Sequence, residues 1–113
     1  MDDERLYKVL RAMEWQAAQA QGVVDGSADD LRDGFIHLST QAQLAGTLER
    51  HFAGESGLIV LEIAAEGLGA KLKWEPSRGG VLFPHFYGAL PLAAVIRTTS
   101  IPPPDAAGSK QTA

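Results

Sequence analysis

Gly34-Phe35-Ile36-His37-Leu38-Ser39-Thr40 reads GFIHLST, and the placement of this stretch decides the fold. Phe35, Ile36 and Leu38 predict a strand, in which alternation sets Phe35, His37 and Ser39 on one face and Ile36 and Leu38 on the other. Its closing hydroxyls suit the start of a helix, since Ser39 or Thr40 can accept from a backbone N–H that has no partner within the helix. That helix is expected to run to about His51, with Leu44, Leu48 and Phe52 as an apolar ridge at i, i+4, i+8.

Before this strand lies a polar loop, Gly26 to Asp33, in which Ser27 followed by Asp30 resembles a capping box for one helical turn. Further upstream, Arg11 to Gln21 predicts a helix with Met13, Ala17 and Ala20 inward and Gly22 as its stop. Arg5 to Leu10 alternates as a strand. On the C-terminal side, Leu58-Ile59-Val60-Leu61-Glu62-Ile63 is nearly all apolar, the pattern of a central strand covered on both faces. Gly67 and Gly69 interrupt it. Lys71-Leu72-Lys73-Trp74-Glu75 alternates strictly and stops at Pro76, as an edge or half-buried strand does. Leu92 to Thr98 supplies a last strand. A strand–helix opening followed by several strands without intervening helices predicts an α+β domain with two main helices, not a doubly wound sheet.

At 113 residues the chain is one domain in size, assigned to residues 1–101. Residues 102–113, PPPDAAGSKQTA, offer little to bury and are expected to be a disordered tail. Hydrophobic residues make up 45% and charged residues 21%, a globular composition, and no apolar run approaches the roughly 20 residues of a membrane span. The acidic start lacks the basic and apolar segments of a secretory signal, so the expected location is cytoplasmic. Without cysteine, disulfides, thiolate metal sites and a Cys nucleophile are excluded. A net charge of −4 argues against broad nucleic-acid binding, leaving only a local basic spot at Lys71, Lys73 and Arg78.

Two of the three histidines occupy similar settings. His37 shares its strand face with a hydroxyl, and His85 lies in Leu82-Phe83-Pro84-His85-Phe86-Tyr87-Gly88, where Phe83, His85 and Tyr87 share a face if the segment is extended. Imidazole donates and accepts hydrogen bonds near neutral pH, which suits a ligand contact as well as a satisfied core position. His37 and His85 are therefore the candidate catalytic residues. Tyr7, Lys8, Ser39, Thr40, Trp74, Glu75 and Tyr87 are the candidate ligand-binding residues. His51, at a helix end, is accounted for as a favourable C-terminal charge. EGLGAK lacks the third glycine and the helix of a nucleotide fingerprint, and a triad of Ser39, His85 and an acid lacks a nucleophile elbow. Zinc held by His37, His85 and a carboxylate lacks a local ligand pair, so no metal site is assigned. The competing class is a non-catalytic interaction module, with Trp74, Phe83, Phe86 and Tyr87 as an aromatic patch for a protein partner or a homodimer.

With GFIHLST, LIVLEI, KWEP and LFPHFYGALPLAAV in order between Tyr7 and Arg97, and with Trp15 in MEWQAA and Gly22, the chain resembles the bacterial domain-of-unknown-function 952 family. The resemblance implies the ADP-ribosylation fold, a small split-sheet α+β domain. Its cleft holds NAD in ADP-ribosyltransferases and NAD-like phosphorylated RNA ends in RNA 2′-phosphotransferases. On that alignment His37 matches a ligand-contacting histidine, and the face of His37 and Ser39 looks into the cleft. Lys8 stands where relatives carry a histidine; it can donate to a ribose hydroxyl or phosphate but is no general base at its ordinary pKa. The glutamate of ADP-ribosyltransferases has no secure counterpart, since Glu75 falls at a strand end. The resemblance thus implies a cleft for a nucleotide-like or phosphate-bearing small molecule, with NAD or a related nucleotide as ligand, no required cofactor, and an NAD-related transferase as the enzymatic reading.

Overall fold

The computed structural model describes residues 4–101; the proposed tail, 102–113, lies outside the described residues. It is a mixed α+β arrangement in which nine strands form three antiparallel sheets around three helices. Strand β1 (Arg5–Arg11) leads into α1 (Ala12–Gln21), then β2 (Val23–Val24), α2 (Ala28–Asp33), β3 (Ile36–His37), β4 (Ser39–Thr40) and α3 (Gln41–His51). The second half is strand-rich: β5 (Leu58–Ala64), β6 (Leu72–Pro76), β7 (Leu82–Phe86), β8 (Leu90–Pro91) and β9 (Val95–Ile101). The large sheet has the order β4-β1-β5-β9, the second β3-β7-β6, and β2 pairs with β8.

Both faces of the large sheet are covered, which explains the apolar run of β5. Leu6 and Leu10 of β1 join Leu61 and Ile63 of β5 in the main core, together with Ala18 of α1, Ile36, Leu38, Phe86 and Leu90. The alternate residues Val9, Leu58 and Val60 face the other way and pack against Leu44, Leu48 and Phe52, the ridge expected of α3. Burying each of these large side chains stabilises the fold by roughly 1.5–3 kcal/mol before the cost of ordering. Strand β6 sits at the edge of its sheet, as its alternation and Pro76 predict.

Four expectations are corrected. GFIHLST is not one strand in one sheet: Ile36 and His37 pair with β7, Ser39 and Thr40 pair with β1, and Leu38 is the joint, its N–H donating to Pro84 O at 3.0 Å. The chain changes sheets within five residues, so His37 and Ser39 serve different sheets. Helix α1 turns Trp15 and Ala18 inward while Met13 is 79% exposed, because a helix of small residues carries little periodic contrast. The polar loop is a third helix, α2, rather than a single turn. The last strand begins at Val95, since Leu92–Ala94 form a 3-10 turn after Pro91 and the Leu92 N–H donates to Gly22 O at 3.3 Å. Among the described residues no helix is long and apolar enough to cross a membrane.

Candidate functional site

Asp30 organises the junction between the two larger sheets. Helix α2 is capped by Ser27, whose Oγ accepts from the Asp30 N–H at 3.3 Å, while Asp30 Oδ2 accepts from the Ser27 N–H at 2.9 Å. This is the capping box legible in the sequence. The same carboxylate does more. Oδ2 lies 2.7 Å from Lys8 Nζ of β1, and Oδ1 accepts from the His37 backbone N–H at 3.0 Å and lies 2.6 Å from His37 Nδ1. Asp30 is 2% exposed and Lys8 6%. Burial alone would push this carboxyl up, but the hydrogen bond from His37 and the charge of Lys8 outweigh it and hold Asp30 far below the usual carboxylate range. The close fit also explains Gly26: at φ +112° a side chain would be strained, and a Cβ there would meet the Asp30 Cβ at 2.5 Å.

An ionised carboxylate only accepts, so the Asp30 contact requires His37 Nδ1 to carry a proton. Nε2 of the same ring lies 3.0 Å from Asp33 Oδ2, a contact that is favourable when the ring is protonated. Asp33 itself is held below its ordinary value, first by its hydrogen bond with Arg32.

His85 is the cross-strand partner of His37, and the two ring centroids stand 5.4 Å apart, edge to face. Nδ1 of His85 lies 2.7 Å from Glu75 Oε1, which also accepts from the Tyr87 hydroxyl at 2.8 Å. These bonds, His85 first and Tyr87 second, lower the Glu75 carboxyl, and Glu75 in turn raises the Tyr87 phenol. Phe35 stacks on His85 at 4.1 Å and contacts His37 at 4.6 Å and Tyr87 at 5.2 Å, so one ring packs against both imidazoles. Each histidine is thus oriented through Nδ1 by its own carboxylate.

Both rings line one cavity of about 260 Å³ between α2, α3 and the sheet junction. Lys8 and Ser39 share its wall with Asp29, Asp33, Thr47, His51, Phe52 and Phe83. Ser39 is buried, with Oγ 2.7 Å from the Thr47 hydroxyl of α3. Glu75 and Tyr87 stand behind His85 as its hydrogen-bonded support. Tyr7, Thr40 and Trp74 are not brought to this wall: Tyr7 packs against the α3-facing core, Thr40 caps α3 by accepting from the Gln43 N–H at 3.1 Å, and Trp74 is 39% exposed. Sequence reasoning passed over Asp30, Phe35, Asp33 and His51. For Asp30 the signal was present but already explained, as a cap. Among the described residues no group of three or more His, Asp or Glu side chains could hold a metal ion.

The fold and this wall define a small antiparallel α+β domain with a histidine-lined cavity at the seam of two sheets. Residues 9–98 match the model of the family described as Protein of unknown function (DUF952), and the chain belongs to that family. It is similar to protein CC0527 from Caulobacter crescentus, at 49% identity over 85% of this chain and 84% of that one, with a TM-score of 0.82 to the crystal structure. The solution NMR structure of CC0527 gives a TM-score of 0.76 over 85% of this chain and 83% of that one, again at 49% identity. Comparison with curated proteins finds no match.

Proposed function

We propose that the cavity binds a nucleotide-like small molecule, of which NAD or ADP-ribose is a representative, with His37 and His85 in contact with it. One observation carries this reading: two histidines from separate sheet segments, each with Nδ1 tied to a carboxylate, line the same cavity. Such a pair offers hydrogen bonding at Nε2, which at His37 is shared with Asp33 3.0 Å away, and, in the enzymatic version, proton transfer to or from a reacting group. The resemblance of GFIHLST to the corresponding strand of RNA 2′-phosphotransferases supports an ADP-ribosylation-like fold and a transferase activity. Lys8, Ser39, Glu75 and Tyr87 complete the proposed site, in which Lys8 is a donor already engaged by Asp30.

The experiment is an NMR titration with NAD, ADP-ribose and simple nucleotides. Binding would move the side-chain resonances of His37 and His85; unmoved histidines at millimolar ligand would remove the reading. A second reading rests on a different observation. Trp74, Val81, Leu82 and Tyr87, on and beside β6 and β7, are each more than a third exposed. They could serve a protein partner or a homodimer, although Phe86 is buried in the core and takes no part. Light scattering of Leu82→Glu beside the parent chain tests that reading by the loss of any dimer.

A further inference from the structure

Resting on the proposed site, we infer that the part of the ligand entering the cavity is an uncharged, hydroxyl-rich group of the pentose kind, and that any phosphate stays outside. Charge decides this. With the histidines neutral, the wall carries two fixed cations, Lys8 and Arg32, against three carboxylates, Asp29, Asp30 and Asp33. Neither cation is available to an anion. Lys8 lies 2.7 Å from Asp30, and Arg32 lies 3.0 Å from Asp33 and 3.2 Å from Asp29. Behind the wall Glu75 adds a further negative charge beside His85. Protonation changes little for an anion at His37, because the cationic ring already faces Asp30 on one nitrogen and Asp33 on the other. Among the described residues of the wall, a phosphate beside His37 would meet carboxylates whose fixed cations, Lys8 and Arg32, are already paired.

The same wall suits hydroxyls. A carboxylate accepts from a sugar hydroxyl, the contact by which an acidic residue recognises ribose in dinucleotide-binding domains. The cavity adds the hydroxyls of Ser27, Ser39, Thr47 and Ser77; Ser27 accepts from the Asp30 N–H and keeps its own proton to donate, and Ser39 and Thr47 bond each other. Size agrees: about 260 Å³ lies below the roughly 300–1,000 Å³ of pockets that enclose drug-sized ligands, so a pentose fits and a whole dinucleotide does not.

The test compares ADP-ribose, adenosine, inorganic phosphate and sulfate by NMR on the parent chain and on Asp33→Asn. The account expects ADP-ribose and adenosine to shift the His37 and His85 resonances and phosphate and sulfate to leave them in place. Asp33→Asn should weaken ADP-ribose and adenosine alike by about tenfold, the usual loss for a hydrogen bond to a charged group. Tighter binding of ADP-ribose by Asp33→Asn, or displacement of ADP-ribose by sulfate, would overturn this inference while leaving the proposed function standing. Silence with ADP-ribose and adenosine alike would overturn both.

Discussion

The two histidines have the same local chemistry and opposite surroundings. At His37 the carboxylate is Asp30, 2% exposed and shared with a buried lysine and two backbone N–H groups. At His85 the carboxylate is Glu75, its side chain 35% exposed, and its other partner is the hydroxyl of the partly exposed Tyr87. A hydrogen bond in water replaces one with solvent and contributes little; a buried charge has no such alternative and must keep its partners. The Asp30 cluster is therefore a structural knot that also orients His37, whereas Glu75 is a partly exposed carboxylate whose structural weight lies in satisfying Nδ1 of the buried His85.

Substitutions at the two carboxylates should separate sharply. Asp30→Ala leaves Lys8, the Ser27 N–H and the His37 N–H buried without their partner, and should destabilise the domain by roughly 3–5 kcal/mol in urea denaturation. A loss below about 1 kcal/mol would mean that the cluster does not hold the sheets together. The acid side of the stability curve carries the same information. Because the folded Asp30 carboxyl is depressed, its contribution is complete above the ordinary carboxylate range of about 4 and is lost as pH falls through and below it. Urea midpoints should thus hold steady from neutral pH to about pH 5 and fall below it, and Asp30→Ala should flatten that fall.

Lys8→Met sharpens the contrast at intermediate size. It removes the ammonium but leaves Asp30 with the Ser27 N–H, the His37 N–H and His37 Nδ1, so the expected cost is about 1–3 kcal/mol, smaller than for Asp30→Ala. If the two substitutions cost the same, Lys8 is the dominant partner and the histidine contact is secondary. Glu75→Gln should have the smallest effect. The amide oxygen can still accept from His85 and Tyr87, and the melting temperature should move by less than about 2 °C in a calorimetric scan.

The apolar half of the molecule was legible because periodicity encodes it directly. The ridge of Leu44, Leu48 and Phe52, the doubly covered run from Leu58 to Ile63 and the edge strand around Trp74 each follow from which side chains must leave water. Thr40 and the Ser27–Asp30 box were legible because capping is local. What failed was long-range or low in contrast. Alternation cannot say where a strand changes partner, so the hand-over at Leu38 was hidden, although His37 and Ser39 still line one cavity as their shared face predicts. The alanine-rich α1 gave no reliable inner face. Asp30 is legible as part of a capping box, but nothing local shows that the box places the same carboxylate against Lys8, 22 positions earlier in the chain. His37 and His85 stood out as candidates because imidazoles in apolar strands are chemically conspicuous, while their supports, Phe35 and Asp33, look ordinary in sequence.

The most direct test of the account is the tautomeric state of the two rings, read from long-range proton–nitrogen correlation spectra at a pH where both are neutral. At His85 the Glu75 carboxylate predicts the proton on Nδ1; at His37 the buried Asp30, 2.6 Å from Nδ1, outcompetes the partly exposed Asp33, 3.0 Å from Nε2, and predicts the same tautomer. Glu75→Gln should leave that state unchanged at His37. Either ring found with its proton on Nε2 in the parent chain would contradict the claim that Asp30 and Glu75 orient the pair.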